Sequence, residues 1–195
     1  MSYRFRWYVL ILVILLATWT GATADDRDSA LERLKNGDVL LLRHAIAPGF
    51  GDPETFRVDD CSTQRNLSDE GRQQARAIGN WLQSRGITQA GVYSSQWCRC
   101  LETADLLEVG DVTPMPALNS FFQRREDRTQ NLAALRHFLA DWETRDMPLV
   151  LVTHQVTVTA MTGISPASGE GVVATLSPEG ELRDFARLRF GASVQ

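Results

Sequence analysis

Two apolar runs that each end at a histidine constrain the fold of this chain more than any other feature. Residues 39–44 read Val-Leu-Leu-Leu-Arg-His, and residues 148–154 read Pro-Leu-Val-Leu-Val-Thr-His. Continuous apolar stretches of this length are typical of strands that are buried on both faces of a parallel sheet. His44 and His154 would then lie at the carboxyl ends of their strands, which is the edge of an open α/β sheet where ligands bind.

Amphipathic helices are predicted between these strands. Ser68 is a favourable N-cap, and the residues after it place small and apolar side chains on one helical face. That face comprises Gly71, Ala75, Ile78 and Leu82, and a second apolar stripe comprises Leu132, Leu135, Leu139 and Trp142. The alternation of strands and helices predicts an α/β fold, a three-layer sandwich with a mostly parallel sheet flanked by helices.

The remaining segments complete this outline. Residues 91–94 predict a short strand, and residues 45–66 form a long stretch with no clear period, which we interpret as a flap over the crevice. Residues 111–122 are expected to be irregular. Residues 171–176 and 181–190 predict a closing hairpin. Its second strand would turn apolar side chains inward at Leu182, Phe185, Leu188 and Phe190.

Residues 1–24 have the three parts of a secretory signal peptide. Two arginines precede an apolar segment, and an Ala-x-Ala ending precedes two aspartates. We expect cleavage after Ala24, which gives an exported, periplasmic or secreted protein with one domain, residues 25–195, and no stable membrane anchor. The alternative is an uncleaved anchor, for which the apolar run is short. Cleavage would change the formal net charge from −4 to −6, and such a surface gives no reason to expect a nucleic-acid partner.

Three cysteines remain in the predicted mature chain, and export would place them where disulfides persist. If Cys98 and Cys100 lie on a helix, they point to different sides and do not form an easy bridge. We therefore expect a disulfide between Cys61 and Cys98. The alternative is three small buried thiols.

Positively charged and imidazole side chains are predicted to meet at one edge of the sheet. Arg43 and His44 end the first strand, His154 ends another, and Arg99 falls one turn into the helix that follows residues 91–94. Arginine grips tetrahedral oxyanions through two donors at once, so this set suits phosphate or sulfate. A neutral histidine is abundant near pH 7 and can attack phosphorus to form a phosphohistidine. No cysteine or histidine spacing indicates a metal centre, and we expect no cofactor.

Four segments resemble the motifs of the histidine phosphatase superfamily, also called the phosphoglycerate mutase-like fold. Residues 43–45 are similar to its Arg-His-Gly, and residues 67–71 to its Leu-Ser/Thr-x-x-Gly helix start. Residues 94–104 resemble its Ser-Ser-x-x-x-Arg-Ala-x-x-Thr-Ala, and residues 150–154 resemble the strand that delivers the second histidine. The resemblance implies that His44 is the nucleophile and that the phosphate ligands are Arg43, Arg99 and His154.

Other positions depart from the family pattern. Ala45 and Gln155 stand where the family usually has glycine. By its spacing beyond the second arginine motif, Glu126 matches the general acid of the mutase-like branch, with Asp127 and Glu54 as alternatives. Some small members of the family act without such an acid.

The resemblance implies a metal-independent phosphatase that hydrolyses phosphomonoesters, and the predicted signal peptide makes it an exported one. Its partners would be a phosphorylated small molecule or an envelope glycolipid or sugar phosphate, and a phosphoprotein is the enzymatic alternative. A second class of function is a non-catalytic phosphate-binding or scaffold protein that retained the pocket.

Overall fold

The computed structural model describes residues 22–143 and 147–190, so residues 1–21 of the predicted signal peptide lie outside the described part of the chain. Helix α1 spans Ala22–Lys35 and ends before Gly37, which has a φ of 95°. Within the described ranges, no helix combines the length and the apolar character needed to cross a membrane.

The described strands form one six-stranded sheet. They are β1 (Val39–Arg43), β2 (Gly91–Ser94), β3 (Val112–Pro114), β4 (Leu149–Thr153), β5 (Gly171–Leu176) and β6 (Leu182–Leu188). Their spatial order is β3-β2-β4-β1-β5-β6. The first four are mutually parallel, whereas β5 runs antiparallel to β1 and β6. The predicted mostly parallel α/β fold is confirmed.

The other helices are α2 (Asp69–Ser84), α3 (Cys98–Asp105), α4 (Arg128–Ala140) and α5 (Gln155–Thr162). Leu40 and Leu42 of β1 pack with α1, α2 and α3 on one face of the sheet. Val39 and Leu41 pack with α4 and α5 on the other face. Alternate residues of a strand point to opposite faces, so a run without polar residues is the pattern required of a strand between two helical layers.

Two segments differ from the sequence-based expectation. Strand β3 lies in the stretch expected to be irregular; it is short and at the sheet edge, where a proline is tolerated. In β6 the expected inward residue Phe185 is exposed, although Leu188 is buried. A register irregularity between Val173 and Thr175 of β5, together with a positive φ at Asp184, interrupts the alternation of the hairpin.

Candidate active site

The carboxyl ends of β1 and β4 bring the two strand-ending histidines together. Arg43 is paired with Thr153 in the parallel register, and the His44 N–H donates to the Thr153 carbonyl at 2.9 Å. The imidazole rings of His44 and His154 lie 5.5 Å apart between centroids. Their side chains are almost completely buried, with residue exposures of 2% and 4%. The structure therefore unites two residues that are 110 positions apart in the chain.

The position of the proton on His44 follows from its hydrogen bond. Its Nδ1 lies 2.8 Å from the Ala45 carbonyl oxygen, which can only accept, so Nδ1 carries the proton and Nε2 carries the lone pair. Burial lowers the pKa of His44 to about 3, and the positive charges of Arg99, Arg43 and Arg65 act in the same direction. His44 is therefore a neutral imidazole, the form that can act as a nucleophile.

The segment after His44 is fixed by two helices. Ala45 N–H donates to Thr103 Oγ1 of α3 at 3.1 Å, and Ser68 N–H donates to the Ile46 carbonyl at 3.1 Å. A Cβ atom on Gly71 would lie 2.0 Å from the Ile46 carbonyl oxygen. Gly71 therefore allows the start of α2 to pack directly against the backbone that positions His44.

His154 is held through the opposite ring nitrogen. Its Nε2 lies 2.9 Å from Ser95 Oγ and 3.5 Å from Cys100 Sγ, and the Trp97 ring packs edge-on against it at 5.4 Å between centroids. Burial lowers the pKa of His154 well below its usual value, and the nearby His44 and arginines lower it further. His154 is therefore also neutral in this site.

Three arginines join the histidines around a cavity of about 100 Å³. Arg43, Arg65 and Arg99 all line it. The Nε atoms of Arg43 and Arg99 are buried and have no hydrogen-bond partner within the described ranges. Burial, together with the charge of Arg99, lowers the pKa of Arg43 and of Arg65. These donors and charges are those that a phosphoryl group would satisfy.

Asp52 is a member of this site that the sequence analysis did not identify. Its carboxylate accepts two hydrogen bonds from Arg99, at 2.6 and 3.0 Å, and a third from Trp97 Nε1 at 3.0 Å. Burial raises the pKa of Asp52, but the hydrogen bonds and charge of Arg99 outweigh it and lower the pKa overall. With both histidines neutral, three arginines and one aspartate leave a net charge of +2, which matches a phosphomonoester dianion.

The long segment at residues 45–66 is attached to the site at several points. The structure contains a disulfide between Cys61 and Cys98, the pairing expected from the sequence, with the Cα atoms 5.7 Å apart. Arg65 donates from Nε to the Gly51 carbonyl at 2.8 Å and also hydrogen-bonds the Ala47 carbonyl. The segment expected to be a flap is therefore fastened to α3, the helix that carries Arg99.

The predicted proton donor does not reach the cavity. Glu126 lies exposed in a short 3-10 helix, Arg125–Asp127, outside the residues that line the cavity. Asp127 pairs with Arg124 at 2.9 Å, and Glu54 lines only a neighbouring cavity. The sequence spacing that suggested Glu126 is not matched by the geometry, because this turn directs its charges to solvent.

The residues that the sequence analysis missed lacked a periodic signal. Asp52 and Arg65 lie in the segment without a regular pattern, and only its unusual length marked it as functional. Ser95 and Thr103 fall inside the third quoted motif, where their hydroxyl groups could have been recognised as supports for the site. The third histidine, His137, is exposed, pairs with Asp141 at 2.7 Å and does not line the cavity.

Comparison with solved structures shows the same fold in phosphatases. The protein histidine phosphatase SixA complexed with tungstate has a TM-score of 0.55 and 17% identity, over 76% of this chain and 96% of that chain. A mycobacterial glucosyl-3-phosphoglycerate phosphatase with inorganic phosphate has a TM-score of 0.50 and 16% identity, over 80% and 97% of the two chains. At these identities the likeness shows the fold alone.

Sequence comparison identifies the family. The mitochondrial serine/threonine-protein phosphatase Pgam5 of Drosophila grimshawi is 36% identical over 69 residues, which are 35% of this chain and 21% of that protein. An uncharacterised protein of Picosynechococcus sp. is 29% identical over 119 residues, which are 60% of this chain and 66% of that protein. The family model for branch 1 of the histidine phosphatase superfamily matches residues 39–148. This chain therefore belongs to the histidine phosphatase superfamily.

Proposed function

We propose that this protein is an exported phosphatase that hydrolyses phosphomonoesters through a phosphohistidine intermediate on His44. The observation that carries the proposal is the Nδ1 hydrogen bond of His44 to Ala45, which leaves the Nε2 lone pair free in a cavity of net charge +2. A neutral imidazole next to guanidinium groups is suited to attack a bound phosphoryl group.

The reaction would proceed in two displacements. His44 Nε2 attacks phosphorus, the bond from phosphorus to the ester oxygen breaks, and Nδ1 keeps its hydrogen bond to Ala45. Water then attacks the phosphohistidine, releasing inorganic phosphate and restoring neutral His44. Arg43, Arg99 and His154 would stabilise the equatorial oxygens of the transferring group, and Arg65 adds a further charge on the wall of the cavity.

The substrate class follows from the size of the cavity and from the predicted export. A volume of about 100 Å³ accommodates a phosphoryl group, so the rest of the substrate must lie beyond it. We propose a phosphorylated small molecule or an envelope glycolipid or sugar phosphate as the substrate, met outside the cytoplasm. Mass measurement of the protein isolated from its host should give a chain that begins at Asp25 if the predicted signal is cleaved.

Hydrolysis of an activated aryl phosphate in the presence of a chelator tests the activity. We expect His44→Ala to abolish both turnover and the acid-labile phosphoprotein that the wild type forms during turnover. His137→Ala is the matched control, because His137 is exposed and away from the cavity. Equal rates for wild type and His44→Ala would overturn the proposal.

A second candidate function is a phosphate-binding or scaffold protein without turnover. The observation that favours it is the Asp52 carboxylate, which occupies both terminal nitrogens of Arg99. This function predicts saturable binding of inorganic phosphate by the wild type, no phosphoprotein, and hydrolysis no faster than that of His44→Ala.

A further inference from the structure

Two adjacent cavities share one wall that contains Asp52. The catalytic cavity holds His44 and the arginines, and the neighbouring cavity has a volume of about 270 Å³. Three residues line both cavities: Asp52, Ser120 and Gln123. A phosphomonoester with its phosphoryl group in the first cavity and its alcohol in the second would pass its ester oxygen beside this wall.

Asp52 is the one carboxylate that lines the catalytic cavity among the described residues. Its side chain is only 9% exposed. The Gln123 amide fixes its backbone at both ends, accepting from the Asp52 N–H at 2.6 Å and donating to the Asp52 carbonyl at 3.1 Å. Glu54 lines only the neighbouring cavity, and Glu126 lines neither of the two.

We infer that the neighbouring cavity receives the alcohol leaving group and that Asp52 donates the proton to its ester oxygen. This inference rests on the proposed phosphatase function and assigns within it a catalytic residue. The walls of the cavity combine the ring of Phe56, which stacks on Trp97 at 4.8 Å, with the polar groups of Glu54 and Arg124. Such walls suit an alcohol that has both apolar and hydroxyl-bearing surfaces.

Substrate binding can convert Asp52 from a carboxylate to an acid. Arg99 holds the carboxylate through both of its terminal nitrogens. Phosphoryl oxygens compete for the Arg99 donors, and loss of this ion pair in a buried site favours protonation of the carboxylate. Trp97 Nε1 and the Arg65 N–H still donate to the carboxylate, at 3.0 and 3.2 Å, and keep it in place. A phosphomonoester has its second pKa near 6, so the bound monoanion can supply the proton to Asp52 as it becomes the dianion.

The proton and electron balance is complete without any further reactant. His44 Nε2 forms a bond to phosphorus, and the electron pair of the broken phosphorus–oxygen bond goes to the ester oxygen, which takes the Asp52 proton and leaves as the alcohol. Asp52, now ionised, accepts a proton from the water that attacks the phosphohistidine. The electron pair of the phosphorus–nitrogen bond returns to Nε2, and phosphate leaves.

The test compares two substrates in Asp52→Asn, which preserves the size of the side chain and an acceptor oxygen for Arg99. We expect kcat/KM for an alkyl phosphate to fall at least about 100-fold, because an alkoxide leaves poorly without a proton. For 4-nitrophenyl phosphate we expect a change within about fivefold, because that phenolate needs no proton to leave. Glu126→Gln is the matched control and should leave both rates within about twofold, because Glu126 is exposed and lines neither cavity.

The outcomes separate this inference from the proposed function. Equal losses on both substrates in Asp52→Asn would mean that Asp52 acts only through Arg99. Unchanged rates would mean that Asp52 takes no part in the reaction. Either result overturns the inference but leaves the proposed function intact, as long as the wild type still forms the phosphohistidine. Failure of the wild type to form that intermediate overturns both. In the wild type, kcat/KM over a series of aryl phosphates should depend weakly on the leaving-group pKa, and a steep dependence contradicts the inference without any variant.

Discussion

His44 and His154 end two adjacent parallel strands, yet opposite ring nitrogens hold them. His44 is fixed through Nδ1 by a backbone carbonyl, whereas His154 is fixed through Nε2 by the side chains of Ser95 and Cys100. A backbone partner one residue away cannot be lost without unfolding the strand end, and it determines the tautomer. A hydroxyl partner can donate or accept, so it leaves the tautomer of His154 free. The difference supports the proposed roles of His44 in nucleophilic attack and of His154 in phosphate binding.

Removal of His44 should have the largest effect. His44→Ala is expected to reduce kcat for an aryl phosphate by at least about 10⁴-fold, because no other described side chain in the cavity presents an imidazole with a fixed free nitrogen. Acid-quench trapping should find no phosphoprotein in this variant. A phosphoprotein in His44→Ala would reverse the roles of the two histidines.

Removal of the His154 side chain should reduce turnover less than removal of the His44 side chain. His154→Ala is expected to reduce kcat by about 10²- to 10³-fold, the usual effect of losing one donor that stabilises the transferring charge. The phosphohistidine should still form, more slowly, in a quenched-flow measurement. If turnover and phosphoprotein are lost to the same extent as in His44→Ala, the two histidines are not functionally distinct.

The burial of both neutral imidazoles predicts that the protein becomes less stable in acid. The unfolded chain binds a proton at each histidine near pH 6.5, whereas folded His44 resists protonation until about pH 3. The unfolded state then holds more protons, so the free energy of unfolding falls as the pH drops, by about 1.4 kcal/mol per pH unit for each histidine. Urea unfolding should be measured at several pH values between pH 6 and pH 4. The free energy of unfolding should depend less steeply on pH in His44→Gln than in the wild type, by that amount per pH unit. The control Gln130→Ala, at an exposed position without a titratable group, should keep the wild-type slope.

The Ser95 contact should have the smallest effect. Loss of one neutral hydrogen bond is worth about 1 kcal/mol, so Ser95→Ala is expected to weaken inhibition by inorganic phosphate about fivefold. Ser95→Thr should be inhibited by inorganic phosphate as strongly as the wild type, because threonine keeps the hydroxyl group that contacts His154. Cys100→Ala should change the inhibition constant for inorganic phosphate less than twofold, because a thiol is a weak donor. An unchanged inhibition constant in Ser95→Ala would remove Ser95 from the support of His154.

The sequence alone determined the central strands and the residues at their ends. The apolar runs of β1 and β4 lack polar positions because helices cover both faces, so their burial and parallel pairing could be predicted. Strand topology then forces His44 and His154 to the same edge. The helix from Ser68 was predictable for a local reason, since its N-cap and its small apolar face are both encoded within a few turns.

Only the tertiary structure determined which polar side chains contact one another in the site. The contacts of Arg99 with Asp52 and of Asp52 with Gln123 join residues 47 and 71 positions apart. Asp52 and Gln123 lie in irregular segments that have no periodicity to reveal these contacts. The same applies to Glu126, whose spacing suggested a proton donor but whose turn lies outside the cavity. Hydrophobic periodicity reports burial against a layer, whereas a hydrogen bond depends on positions to within a fraction of an ångström, and only the assembled fold determines those positions.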